Sequence, residues 1–440
     1  MKKIIFIIVL LFLFSFSASI FSQISNETKN SIPPYSRNTD SEIIGPDGLS
    51  LENVIEIAVK NNLEIQAAKN KFDAKKSTFL QEISPESPEY FFENEGMPKL
   101  SNISKPYDER HIGISQTFDF PLKWYYKGKA SRQEIKSAEM DYFMAKLMLI
   151  ERVREGYYRV LMRGKVNEYE EENLNLLKDF LSKAELKYKL GESPQIEVLK
   201  ARVEVSKGET NRLIAENELE LAKANLNFLL NWDMKKPIEL TDELGYNPIN
   251  YDLDELKELA LKKHPDIRSV EYLYSSMKTR RSLAWSGFLP DLNVGFFRMS
   301  YGDLLESKKW GSAIGFNLPV WFFLKQTGEI KKSNAELNES LSRLNNVKNL
   351  VLLNVDRVYR ELKAFEKSVL MYEESILKES EEMYRIASVS YAEGQIGYIE
   401  LLEAQRTLTG TRKDYVGVLY DYKVALSALI KEVGGELPEK

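Results

Sequence analysis

Glu400 and Glu403 stand three residues apart in YAEGQIGYIELLEA, the stretch 391–404. On a helix that spacing puts both carboxylates on one face. Such a pair attracts cations and its members repel one another; it equally suits an ordinary solvated helix face. A second acidic group, Glu89, Glu93 and Glu95, alternates with Tyr90 and Phe92 in PEYFFENEG. Little else in the 440 residues offers chemistry. There is no cysteine, which removes disulfides, thiolate metal sites, a cysteine nucleophile and a lipid-modified N-terminal cysteine. His111 and His264 are the only histidines, a poor supply for metal or triad chemistry. No nucleophile elbow, phosphate loop or zinc-spacing motif occurs, so neither enzyme activity nor a cofactor is expected. A net charge of −5 leaves no basic footprint for nucleic acid.

The stretch that carries Glu400 occurs twice. In YKLGESPQIEVLKA, 188–201, Tyr188, Gly191, Ile196, Glu197, Leu199 and Ala201 anticipate Tyr391, Gly394, Ile399, Glu400, Leu402 and Ala404, each pair 203 positions apart. The first copy has Glu197 but Lys200, so only the second offers an acidic pair. The self-similarity extends further: Leu51, Ala58 and Ile65 match Leu253, Ala260 and Ile267, and Phe118 and Pro121 match Phe316 and Pro319. These correspondences divide the chain into a first repeat, 51–250, a second repeat, 251–434, and a tail, 435–440.

Each repeat reads as a helix (51–83 and 252–286), a segment punctuated by Pro and Gly, and two long helical stretches meeting at the duplicated motif. No proline occurs over 122–193 or 320–437. A helix over 122–190 is roughly 100 Å long, more than a compact domain can enclose. Leu337, Leu341, Leu344, Val351, Val355, Val358, Leu362, Phe365, Val369, Tyr372 and Ile376 follow heptad spacing, broken only by Lys348. Phe143, Leu147, Ile150, Tyr157 and Leu161 form a less regular seam in the first repeat.

Period-two alternation marks strands near 88–96, 110–120, 290–300 and 310–322. Trp310, Ile314, Phe316, Leu318, Val320 and Phe322 oppose Gly311, Ala313, Gly315 and Asn317. Such alternation suits a half-buried soluble strand or a strand of a membrane barrel. Four strands leave two open edges, which cannot face lipid, so a membrane role requires several chains in one closed barrel. The N-terminus, with Lys2 and Lys3 before an apolar run and small residues around Ala18, predicts a signal peptide over 1–22, cut near Ser19 or Ser22. A flexible lead-in over 23–50 follows.

These features together resemble the TolC-like outer-membrane efflux proteins. The resemblance rests on LENVIEIAVKNNLEIQAAKNKFDAKKS, on GISQTFDFPLKW, on the two Y-x-x-G…E-x-L-x-A stretches and on the tails KGETNRLIAENELELAKANLNFLLN and TGTRKDYVGVLYDYKVALSALI. It implies a mostly α fold with a small membrane β part: a homotrimer whose long helical hairpins form a periplasmic α-barrel joined to a shared twelve-stranded outer-membrane barrel. It implies a passive duct working with a periplasmic adaptor and an inner-membrane pump. The duplicated motifs become the periplasmic tips, with Gly191, Leu199, Ala201, Gly394, Leu402 and Ala404 near the adaptor. Tyr391, Glu400 and Glu403 become the entrance, with Ile396 where some relatives carry a basic latch residue. SPEYFFENEGMP is similar to an acidic segment of the cation-efflux branch, which makes Glu89, Glu93 and Glu95 either lumen residues or solvated surface charge. A periplasmic or secreted coiled-coil scaffold without channel activity is the alternative.

Overall fold

The computed structural model describes residues 48–96, 108–301, 309–321, 323–435 and 437. The expected signal peptide, most of the lead-in, Phe322 and most of the tail lie outside the described residues. The chain runs α1 (Leu51–Asn61), α2 (Leu63–Ile83), β1 (Glu89–Glu95), β2 (Glu109–Phe118), α3 (Pro121–Lys189) and α4 (Gln195–Leu229). It then repeats that order as α5 (Leu253–Lys263), α6 (Pro265–Ser286), β3 (Asp291–Tyr301), β4 (Lys309–Asn317), α7 (Lys325–Met371), α8 (Leu377–Ala392) and α9 (Tyr398–Glu432). A π-helical turn, Tyr372–Ile376, joins α7 to α8. The α7–α8 rod therefore stands in the second half where the 69-residue α3 stands in the first.

Where one helix is expected at the start of each half, there are two. Asn62 breaks the first pair: its backbone is extended, its side chain accepts from the Glu64 and Ile65 amides, and its Nδ2 donates to the Leu229 carbonyl at 3.0 Å. His264 breaks the second. The proline after it disfavours helical backbone at this position, and its Nδ1 accepts the Asp266 amide at 3.2 Å.

Each half has its own core. Ile57, Leu149, Val153, Tyr157, Leu226 and Trp232 bring α1, α3 and α4 together. Leu256, Val355, Leu362, Tyr422 and Leu429 do the same for α5, α7 and α9. The heptad residues of α7 from Leu337 to Val369 are largely the buried ones. The expected seam fails at Tyr372 and Ile376, neither of which is buried. The π turn adds a residue and rotates the helix faces, and beyond it the buried positions are Ser380, Ala387 and Tyr391. In α3, Leu147 and Tyr157 of the expected seam are buried, with Leu149, Val153 and Val160 beside them, whereas Phe143 is exposed and Ile150 and Leu161 are half-buried.

A polar joint ties α2, α3 and α6 together below the strands. The buried Glu134 carboxylate accepts from Lys75 Nζ at 2.7 Å, from Arg280 Nε at 2.8 Å and from Ser276 Oγ at 3.0 Å. Arg280 also reaches Glu82 at 3.3 Å.

The strands form one antiparallel sheet in the order β1-β2-β3-β4. The register collects Tyr90, Phe92, Ile112, Ile114, Phe296, Val294, Ile314 and Phe316 on one face. That face is uncovered: Trp310 and Ile314 are each 73% exposed. The opposite face carries Gly113, Ser115, Asn293, Gly295, Gly311 and Ala313. On it Phe297 lies between Gly113 and Gly311, directly across from both. A Cβ on Gly113 would sit 2.5 Å from that of Phe297, so these glycines make room for the ring. β4 ends at Asn317, short of the expected boundary, because Pro319 has no N–H for a sheet ladder. Among the described residues, no helix is long and apolar enough to cross a membrane.

Candidate entrance at the helix tips

Both rods end in the same hydrogen-bonded closure. Gly191 donates to the Tyr188 carbonyl at 3.0 Å and Glu192 to Lys187 at 2.9 Å; Gly394 donates to Tyr391 at 3.1 Å and Gln395 to Ser390 at 2.8 Å. The pattern satisfies the last carbonyls of each helix and requires left-handed backbone at the glycine. Both glycines have φ +76°. This requirement explains why the motif is present twice: each hairpin must reverse, and glycine takes that conformation without steric cost. Nothing lies within 4 Å of a Cβ built on either residue, so a substitution there acts on the backbone alone. Gly191→Val with Gly394→Val is expected to cost roughly 1–2 kcal/mol at each turn. Hydrogen exchange at the two tips should then rise by about tenfold while α1 and α5 keep their protection. Unchanged tip exchange would remove the turn assignment.

Above the turns, α3, α4, α8 and α9 share a small core containing Phe180, Ala184, Val198, Ala201, Tyr391, Tyr398, Leu401, Leu402 and Ala404. The placement corrects three expected adaptor contacts. Ala201, Leu402 and Ala404 are buried within the chain because their helix positions face the partner hairpin. Leu199 and both glycines stay exposed at the surface of the tips, beside Leu190, Ile196 and Ile399.

Tyr391 is buried, and Lys187 of the first hairpin lies over its ring with Nζ 4.4 Å from the centroid. It thus joins one hairpin to the other, whereas its counterpart Tyr188 is exposed. Tyr398 packs edge-on against it with centroids 6.4 Å apart. Among the described residues neither hydroxyl has a hydrogen-bond partner. Burial, with the Glu204 charge nearby, pushes the Tyr398 hydroxyl up to about 12; burial also raises that of Tyr391. Tyr398 is a tip residue that sequence comparison overlooked. Its position in the first repeat is Gln195, and that departure from the repeat is the available signal.

Glu400 and Glu403 are both exposed and lie on one side of α9. They line a groove of about 850 Å³ between α8 and α9, together with Lys378, Glu379, Glu382, Met383 and Ile386. Glu403 comes only within 3.9 Å of Arg406, whose closer partner is Glu204 of α4 at 2.8 Å. Burial would raise the Glu204 carboxyl, but hydrogen bonds from Arg406 and Lys207 outweigh it and hold the group below the ordinary carboxylate range. Glu204–Arg406 is therefore a firm tie between hairpins, and the acidic pair is left open to the groove. Glu89, Glu93 and Glu95 are far away in sequence and space, on the sheet face that carries Gly113 and Ser115. Among the described residues, no group of three or more His, Asp or Glu could hold a metal ion.

Residues 256–435 match the family of outer membrane efflux proteins. That match covers nearly the whole second repeat. Likeness of fold extends over both repeats, as three solved structures show. CusC is 16% identical with a TM-score of 0.74, covering 92% of this chain and 99% of that one. The outer membrane protein VceC of Vibrio cholerae is 18% identical with a TM-score of 0.72, covering 88% of this chain and 96% of its own. The CmeC outer membrane channel of Campylobacter jejuni is 17% identical with a TM-score of 0.70, over 92% and 93%. No curated protein matches the chain in sequence.

Proposed function

We propose that this chain is the outer-membrane duct of a tripartite efflux system, a homotrimer that passively carries substrate outward from a periplasmic adaptor and an inner-membrane pump. One observation carries the reading. The four-stranded sheet has an uncovered face rich in apolar side chains, interrupted by Gln116, Arg298 and Ser312, and two unpaired edges, β1 and β4. An open edge cannot stand in hydrocarbon. The antiparallel order lets β4 of one chain pair with β1 of the next, which closes a ring without a new fold. Three chains give twelve strands, beyond the roughly eight whose interior side chains fill. The glycine- and serine-bearing face then lines water and the Trp310 face meets lipid.

A coiled-coil scaffold without a channel leaves that apolar face unexplained. Fractionation separates the two readings. The duct should appear in outer-membrane detergent extracts, migrate differently before and after boiling, and conduct ions in planar bilayers. Protein that remains soluble without detergent and forms no channels would overturn the proposal.

A further inference from the structure

We propose that a basic, aromatic groove between α2 and α3 binds the headgroup of an anionic phospholipid from the inner leaflet of the outer membrane. The inference rests on the channel reading above. The groove has a volume of about 500 Å³ and is lined by Phe79, Trp124, Tyr125, Lys129, Arg132 and Lys136, among others, with no carboxylate in its wall. Neighbouring cations are neutralised: Lys123 pairs with Asp291 at 2.8 Å and Lys127 with Asp119. Lys129, Arg132 and Lys136 instead lie exposed and rest on aromatic faces, those of Tyr125, Phe79 and Tyr272, at 5.9, 5.3 and 5.6 Å. Three clustered positive charges without a carboxylate call for an anion.

Position selects the kind of anion. α2 leads into β1, and β2 leads into α3 through Asp119 and Phe120 alone, so the groove abuts the membrane layer. Lys129 lies roughly 12 Å along the axis from the start of α3. Helical side chains lean toward the N-terminus, which aims Lys129 and Arg132 at the membrane. Exposed Trp and Tyr favour the bilayer interface. Trp124 is also fixed, its Nε1 donating to the Ile83 carbonyl at 2.8 Å. A phosphate between Lys129 and Arg132, with an acyl chain along Trp124 and Tyr125, satisfies both halves of the groove.

The test uses the full trimer in nanodiscs of phosphatidylcholine with a minority of phosphatidylglycerol, followed by native mass spectrometry. The parent should retain phosphatidylglycerol in preference to phosphatidylcholine, up to one per chain. Lys129→Gln with Arg132→Gln and Lys136→Gln should weaken that retention roughly a hundredfold. The single change Arg132→Gln should weaken it less, and Lys200→Gln with Lys207→Gln at the far tip should leave it intact. No preference in the parent, equal retention by the triple variant, equal loss in the tip control, or full occupancy by inorganic phosphate in lipid-free detergent would each overturn the proposal. A trimer that inserts without lipid preference defeats the groove alone; failure to insert defeats the channel reading with it.

Discussion

Glu400→Ala with Glu403→Ala is expected to lower the cation selectivity of the open channel and to abolish block by polyvalent cations added on the periplasmic side. Both carboxylates are exposed, and among the described residues neither has a cationic partner closer than the 3.9 Å contact of Glu403 with Arg406. Their charge is therefore available to solutes. In the proposed trimer six of them surround one axis at the narrow end. A constriction walled by one sign of charge concentrates counter-ions by tenfold or more. Loss of the ring should reduce the cation-to-anion permeability ratio by roughly that factor. Arg406→Ala leaves the ring intact but frees α9 from Glu204, so it should change opening frequency more than selectivity. Selectivity and block unchanged from the parent would return Glu400 and Glu403 to an ordinary solvated helix face.

The largest stability effect is expected at the other end, from Glu134→Ala. Removing this carboxylate leaves Arg280 with a single long contact to Glu82 and Lys75 with none of its present pairing. Lys75 and Arg280 are each about a third exposed, so water partly compensates them, and losing their charged hydrogen bonds costs about 1.5–3 kcal/mol. The trimer should come apart at a distinctly lower temperature on semi-native gels, and a loss under about 1 kcal/mol would show that the joint is solvated. Burial alone would raise the Glu134 carboxyl, but hydrogen bonds and charge from Lys75 and Arg280 hold it below the ordinary carboxylate range. A depressed carboxylate stabilises above its unfolded pKa and loses that contribution as pH falls through its folded pKa. The joint should therefore persist through mildly acid conditions and fail only in stronger acid. Replacing Glu134, Lys75 and Arg280 together with apolar residues should be much less harmful than Glu134→Ala.

Local periodicity explains which parts of this architecture were readable beforehand. The Leu and Val heptads of α7 mark a buried seam because one face repeats its partner over many turns. The alternation around Trp310, Ile314 and Phe316 falls on β4 because a strand with two unlike faces must alternate. The tip glycines were visible through duplication, since both turns need the same left-handed residue. What stayed hidden depends on contacts between distant segments. Glu134 meets Lys75 and Arg280 from two other helices, and nothing near it in sequence distinguishes it from a surface glutamate. Ala201, Leu402 and Ala404 read as tip residues but face inward, because heptad position decides burial there. The breaks at Asn62 and His264 had local causes, an Asx cap and a following proline, overshadowed by the apolar pattern running across them. The π turn at Tyr372–Ile376 interrupts a heptad that is intact in sequence.

Mass measurement of the native assembly in detergent bears most directly on the closed ring. Three chains of the processed protein per particle are expected, with no smaller species that retains the folded sheet. A stable monomer with a soluble radius would contradict the shared barrel, because β1 and β4 would then remain open at both edges.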